Sequence, residues 1–217
     1  MVSQIKVIEN LCDKNVESVV ETFRDDNFYK VKIISPCPKI QLFAKKIEEM
    51  KWDTKQIYEL SIYNIWLIAK SFGVKPFCPI PTAVMNAIWL EAGLIAESVA
   101  LSTTTKFNLS KGEATKLELE LPICGYFATI TAESTPAKKV KIKIEIPCPD
   151  VNKYLAGIEN RPLRELEDCD QIYSLSKITD EKTCYIPVAV CIAHAIQSKK
   201  LEAKDGGTIV EITMSKR

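Results

Sequence analysis

Several residue types and motifs are scarce in this chain, and their scarcity excludes familiar kinds of site. The 217 residues contain one histidine, His194, which excludes a metal site built from several histidines of one chain. The 29 basic residues are balanced by 28 acidic ones, so no cationic excess is present for general nucleic-acid binding. The chain has no Cys-x-x-Cys pair and no glycine-rich phosphate loop. We therefore predict no metal and no cofactor.

Long apolar runs are also missing. The longest near-apolar region, Ile57 to Ala69, is interrupted by Glu59 and Asn64 and falls short of the roughly 20 residues of a spanning helix. The first ten residues do not resemble a signal peptide, so we expect a cytoplasmic protein with no membrane partner. Only seven glycines, with abundant Lys, Glu and Ile, favour a thermophilic source, in which some of the eight cysteines could form disulfides.

What the chain does contain is an internal duplication. Short motifs of the first half recur in the same order in the second half, 106 to 115 residues later. The pairs are Leu11-Cys12 with Ile123-Cys124, Pro36-Cys37-Pro38 with Pro147-Cys148-Pro149, Gln56-Ile57-Tyr58 with Gln171-Ile172-Tyr173, Cys78-x-Ile80-Pro81 with Cys184-x-Ile186-Pro187, and Leu90-Glu91-Ala92 with Leu201-Glu202-Ala203. Two copies of about 108 residues account for the whole chain. We predict two repeats, residues 1–108 and 109–217, packed as a pseudo-two-fold pair.

Alternating apolar and polar residues predict three strands at the start of each copy. In the second copy, Leu117 to Ile123 and Val140 to Ile146 alternate strictly, and the Thr-rich segment Tyr126 to Glu133 lies between them. Three successive strands favour an antiparallel meander. The corresponding strands of the first copy are predicted at Gln4 to Leu11, Glu17 to Phe23 and Tyr29 to Ser35.

Helical periodicity follows each meander. In the first copy it covers Lys39 to Met50, Lys55 to Phe72 and Pro81 to Leu94. The second copy is shorter between Ser176 and Cys184 and is predicted to lack much of the middle helix. Closing strands are predicted at Ser98 to Phe107 and Thr208 to Met214. The predicted fold is α+β, a β-β-β-α-α-(α)-β unit in each half, with helices on one face of an antiparallel sheet.

Four cysteines fall at predicted helix starts, in pairs related by the duplication. Cys37 and Cys148 lie between two prolines, and Cys78 and Cys184 come just before the next helix. A residue before proline is extended, and proline suits the first helical position. Because helix N-termini carry partial positive charge, such a position lowers the pKa of a nearby thiol. These four residues form the candidate thiol or disulfide site.

Three roles remain open for the four cysteines. The first is that of small buried apolar side chains in turns that the prolines shape. The second is a disulfide in each half, Cys37 with Cys78 and Cys148 with Cys184, each closing a loop of about 40 residues. The third is a reactive thiol, or a metal site assembled from distant segments. In each case we predict that the members of a pair lie close together.

Cys78-Pro79-Ile80-Pro81, followed by a helix, resembles the Cys-Pro-x-Pro motif of small sulfur-carrier proteins. The resemblance covers the segment Cys78 to Gly93 and implies a thiol at a helix start that carries a persulfide. The chain departs from that family in lacking a strand before the motif. The second copy also has Tyr185 in place of the first proline.

Two functional classes are consistent with these observations. A non-catalytic binding or assembly module is favoured because no acid–base constellation is visible. The alternative is a thiol-dependent protein, whether sulfur carrier, redox protein or cysteine enzyme, so the sequence leaves open whether the protein is an enzyme. The helical face near Trp66 is a candidate contact in a homo-oligomer. Residues that recur in both copies are candidates to line a ligand site: Tyr58, Tyr173, Gln56 and Gln171.

Overall fold

A computed structural model describes residues 2–12, 15–100, 104–152, 169–175 and 184–216. Within these ranges the strands are β1 (Val2–Glu9), β2 (Val16–Asp25), β3 (Phe28–Ile34), β4 (Thr104–Lys111), β5 (Ala114–Leu121), β6 (Tyr126–Ser134), β7 (Val140–Glu145) and β8 (Thr208–Lys216). The helices are α1 (Pro38–Glu48), α2 (Thr54–Glu59), α3 (Ile62–Ser71), α4 (Ile80–Glu91), α5 (Glu97–Ala100), α6 (Cys169–Leu175) and α7 (Ile186–Gln197). None of these helices is both long and apolar enough to cross a membrane.

All eight strands form one antiparallel sheet in the order β3-β2-β1-β8-β4-β5-β6-β7. The two meanders lie at the outside, and the two closing strands lie side by side in the middle. Each closing strand pairs with the meander of the other copy. β4 pairs with β5, where Phe107 lies opposite Leu119, and β8 pairs with β1, where Ile212 lies opposite Val7. Main-chain hydrogen bonding is therefore continuous from one copy to the other.

One face of the sheet is buried under helices, as the alternating patterns predicted. In β5, Leu117 and Leu119 are buried while Glu118 and Glu120 are exposed. Helix α4 packs on β1 and β2, and α7 packs on β5 and β6. Both helices are apolar nearly all round, because other helices cover their outer faces: α3 packs on α4 and α6 packs on α7. The predicted α+β fold with two similar halves is confirmed, whereas the division at residue 108 stays a prediction.

Two element boundaries differ from the predicted ones. The segment Lys55 to Phe72 forms two helices, because the Asn64 amide oxygen accepts hydrogen bonds from the Ser61 amide (3.0 Å) and hydroxyl (2.6 Å) and so starts a new helix. The closing strand that we placed at Ser98 to Phe107 begins later, at Thr104, because α5 precedes it. The predicted loss of the middle helix in the second copy concerns residues 176–183, which lie outside the described ranges.

The apolar face near Trp66 joins α3 to α6 of the same chain. The Trp66 ring stacks on the Tyr173 ring with centroids 4.9 Å apart, and its Nε1 donates to Asp170 Oδ1 at 2.9 Å. Asp170 also pairs with Lys70 on the same helix as Trp66. Trp66 is thereby buried in a contact between the two copies. A homo-oligomer through this face stays a prediction.

Candidate functional site

The Pro-Cys-Pro segments form matching strand-to-helix turns in the two copies. Cys37 is extended (φ −74°, ψ 120°) and precedes α1, whose first residue is Pro38. The Cys37 carbonyl accepts a hydrogen bond from the Gln41 amide at 2.9 Å. In the second copy, the Cys148 carbonyl accepts from the Asn152 amide at 3.2 Å in the same way. Cys37 therefore occupies the N-cap position, and Cys148 directly precedes the helical residues 149–152, as expected from the flanking prolines.

Cys78 and Cys184 form a second matched pair, two residues before the first residues of α4 and α7. The Ile186 amide donates a hydrogen bond to the Cys184 sulfur at 3.5 Å. The Ile80 amide makes the equivalent bond to the Cys78 sulfur. Each sulfur thus accepts one of the amide hydrogens that a helix start leaves without a partner inside the helix.

A third cysteine joins each pair. A cavity of about 290 Å³ in the first copy is lined by Cys12, Cys37 and Cys78. At the equivalent position of the second copy, a cavity of about 30 Å³ is lined by Cys124, Cys148 and Cys184. Cys37 and Cys78 therefore line one cavity, and Cys148 and Cys184 line the other. Cys12 and Cys124 were missing from the predicted site, although the match of Leu11-Cys12 with Ile123-Cys124 was a signal for them.

The eight cysteines are free thiols in this structure. No disulfide joins any of the eight cysteines, all of which lie in the described ranges. The disulfide alternative is therefore not realised in this structure. No group of three or more His, Cys, Asp or Glu side chains in the described part of the chain is placed to hold a metal ion.

Burial affects the pKa of the Cys78 thiol more strongly than the helix start does. Burial raises the pKa of Cys78 well above its usual range, and the Ile80 amide offsets only part of this effect. The expected lowering of thiol pKa at a helix start is therefore wrong for Cys78. Burial also raises the pKa of Cys191, to which a hydrogen bond with Cys169 adds. Neither Cys169 nor Cys191 has a counterpart in the first copy.

The two equivalent cavities differ in the side chains around the thiols. Strand register places Leu121 where the first copy has Glu9, since these residues lie opposite Tyr126 and Val16 respectively. Ile146 and Tyr185 occupy the positions of Ser35 and Pro79. Tyr185 is buried and packs edge-on against Phe107, with ring centroids 6.2 Å apart. The second cavity is therefore smaller, and only the first has a carboxylate and serine hydroxyls in its wall.

Hydrogen bonds hold the polar groups of the first cavity in place. Glu9 Oε2 accepts from the Leu11 amide at 2.5 Å and from the Cys12 amide at 3.2 Å, and the Cys12 thiol donates to the same carboxylate. Ser35 Oγ accepts from Ser18 Oγ at 2.8 Å and from the Cys37 amide at 3.2 Å. Burial raises the pKa of Glu9, and its three hydrogen bonds partly offset that rise.

The recurrent tyrosines and glutamines lie away from both cavities. Tyr58 is exposed on α2, and Gln56 forms a capping box with Asp53 at the start of that helix. Tyr173 is buried in the contact with Trp66, and Gln171 is exposed on α6. Neither cavity has any of these four predicted ligand-lining residues in its wall.

Comparison with protein families supports the duplication. A model described as a family of unknown function (DUF6951) matches residues 3–103 and matches again at residues 115–210. The two matches agree with the two copies found from the repeated motifs. No curated protein and no solved structure matches the chain.

Proposed function

We propose that this chain, which belongs to the family of unknown function DUF6951, is a ligand-binding module whose site is the cavity of the first copy. The supporting observation is the difference between two equivalent positions of one duplicated fold. The first copy has a cavity of about 290 Å³ with Glu9 and Ser35 in its wall. The second copy has about 30 Å³ there, with Leu121 and Ile146. The smaller side chains of Ser35 and Pro79 thus leave space in the first copy that Ile146 and Tyr185 fill in the second.

The size and lining of the cavity limit its ligand. An apolar cavity of about 150 Å³ holds benzene, so the first-copy cavity has room for a ligand of about a dozen non-hydrogen atoms. Apolar side chains such as Leu11, Ile40 and Phe77 form much of the wall. A mainly apolar ring or chain with one or two polar atoms fits this lining, because burying unpaired polar atoms is costly.

Indole and quinoline are suitable probes, because both are aromatic, small and uncharged or weakly basic. We expect saturable binding of at least one of them to the wild-type chain, measured by ligand-observed NMR. Ser35→Ile installs the residue of the second copy and should lower the affinity by about tenfold or more, a loss of about 1.4 kcal/mol. Ile146→Val in the second cavity is the matched control and should leave binding unchanged.

The absence of saturable binding of either probe to the wild type would count against the proposal, as would equal binding to Ser35→Ile. Circular dichroism of each variant shows whether the fold is kept. Sedimentation of the wild type and of Ser35→Ile measures the molecular mass of each in solution, and so tests whether this cavity is a subunit contact instead of a ligand site. A change in mass caused by Ser35→Ile alone would place a subunit contact, and not a ligand, at this cavity.

A thiol-dependent function is the second candidate, because three cysteines meet at the first cavity. Thiol titration of native and denatured protein, with and without reductant, tests it. Rapid native labelling of one or two cysteines favours thiol chemistry, and labelling only after unfolding favours a structural role. The raised pKa of Cys78 counts against the persulfide role suggested by the sulfur-carrier resemblance, because the thiolate is the reactive form.

A further inference from the structure

Glu9 and Cys12 form an acid–thiol pair at the first cavity. Glu9 is 6% exposed, at the end of β1, whereas Cys12 is exposed in the turn that follows. The Cys12 thiol donates a hydrogen bond to the Glu9 carboxylate, and the Leu11 and Cys12 amides fix the orientation of that carboxylate. A thiol that is open to solvent therefore has an acceptor for its proton already in place.

We propose that Glu9 is the base that activates Cys12 as a nucleophile toward small carbon electrophiles that enter the first-copy cavity. In this step the Cys12 sulfur forms a bond to the electrophilic carbon while its proton passes to the Glu9 carboxylate. With an alkyl halide, the halide leaves with the electron pair of the broken carbon–halogen bond, and Glu9 then releases the proton to water. The inference rests on the proposed function only in taking the same cavity as the site.

The second copy contains the same thiol without the base. Cys124 is exposed in the equivalent turn, but Leu121 stands at the position of Glu9. The main chain builds this turn, since the Leu121 carbonyl accepts from the Cys124 and Gly125 amides at 3.2 and 2.9 Å. The Cys124 sulfur also donates to that carbonyl, at 3.4 Å. Cys124 is therefore an internal reference for Cys12 in every measurement on the intact chain.

The surroundings of Glu9 shift its pKa in the direction that suits a general base. Burial raises the pKa of Glu9 toward the range in which carboxylates act as general bases in enzymes. The titratable groups that share its cavity are Cys12, Cys37, Cys78, Lys39 and Lys75. Both lysines are exposed.

Alkylation by iodoacetamide, quantified for each cysteine by peptide mass spectrometry, tests the proposal. At about pH 6 an ordinary thiol is almost wholly protonated. We expect Cys12 to react there about tenfold or more faster than Cys124, since a positioned base contributes at least that much. Glu9→Gln should bring the Cys12 rate down to that of Cys124. Glutamine keeps an oxygen that accepts from the Leu11 and Cys12 amides, so the turn is retained while the base is lost.

Equal rates for Cys12 and Cys124 in the wild type would overturn the proposal. So would a Glu9→Gln variant in which Cys12 reacts as fast as before or faster, because Glu9 would then only cap the turn and hold the thiol proton. If Glu9→Gln does not fold, the proposal is tested on the wild type alone. The measurement is then the ratio of the Cys12 alkylation rate to the Cys124 alkylation rate between about pH 5 and 9. Indole binding and Cys12 alkylation are separate measurements on the wild type, so the absence of binding counts against the proposed function and equal alkylation of Cys12 and Cys124 counts against the base.

Discussion

At the scale of single residues, the same side chain has different roles in the two copies. Tyr58 and Tyr173 occupy matching motifs, yet Tyr58 is 55% exposed and Tyr173 is fully buried. The Tyr173 hydroxyl donates to the Pro76 carbonyl at 2.7 Å, and its ring stacks on Trp66. The difference arises because α6 packs on α3, which belongs to the other copy. A repeat in sequence therefore does not by itself assign a shared role.

Removing the two tyrosine hydroxyls should separate these roles. Tyr173→Phe leaves the buried Pro76 carbonyl without its donor and should lower the free energy of unfolding by about 1–3 kcal/mol. Tyr58→Phe is the matched control on an exposed site and should change it by less than about 0.5 kcal/mol. Urea denaturation of both variants measures the difference. Equal effects would show that the buried hydrogen bond contributes no more than the exposed hydroxyl.

At the scale of elements, short sequence motifs determine where helices start. The Pro-Cys-Pro segments predicted both N-caps, because proline restricts the residue before it and suits the first helical turn. The break between α2 and α3 was missed, since apolar periodicity continues across it. The signal for this break was Ser61 followed three residues later by Asn64, whose amide oxygen accepts both Ser61 hydrogen bonds.

We expect Asn64 to stabilise the start of α3 by accepting the Ser61 hydrogen bonds. Asn64→Ala removes the acceptor for the Ser61 amide and should lower the free energy of unfolding by about 1 kcal/mol, as for other lost caps. Lys45→Ala, on the exposed face of α1, is the control and should stay within about 0.5 kcal/mol of the wild type. Thermal and urea unfolding followed by circular dichroism give both values. An Asn64→Ala variant as stable as the control would show that packing alone starts α3.

At the scale of the whole molecule, the exchanged closing strands bind the copies into one sheet. β4 and β8 pair with each other and with the meanders of the opposite copies. Neither copy can complete its part of the sheet with its own residues. The contact of Trp66 with Tyr173 adds a second link on the helical side. We therefore expect the two copies to unfold together.

A mild core change in the first copy tests this coupling. Ile47→Val, at a fully buried site in α1, should lower global stability by about 1 kcal/mol. Native-state hydrogen exchange should show the same loss of protection in β5 and β6 as in β1 and β2. Ile34→Val, at a site that is 51% exposed, is the control and should leave both regions unchanged. Loss of protection confined to β1 and β2 would mean that the copies unfold independently.

The sequence by itself determined the class of fold, the duplication and the positions of most strands. Period-two alternation and recurring motifs are local properties, because they follow from which side chains must face a core. The prolines likewise determined the turns at Cys37 and Cys148. These features needed no knowledge of which elements become neighbours.

Only the tertiary structure decided the strand exchange, the meeting of Cys12 with Cys37 and Cys78, and the difference between the two cavities. Strand pairing and cavity volume depend on contacts between residues far apart in the chain, which local patterns do not specify. The pKa values of Glu9 and Cys78 depend on burial for the same reason, and burial is a property of the packed molecule. The sequence therefore located Cys37, Cys78, Cys148 and Cys184 in turns before helices, while packing decided which side chains meet them in each cavity.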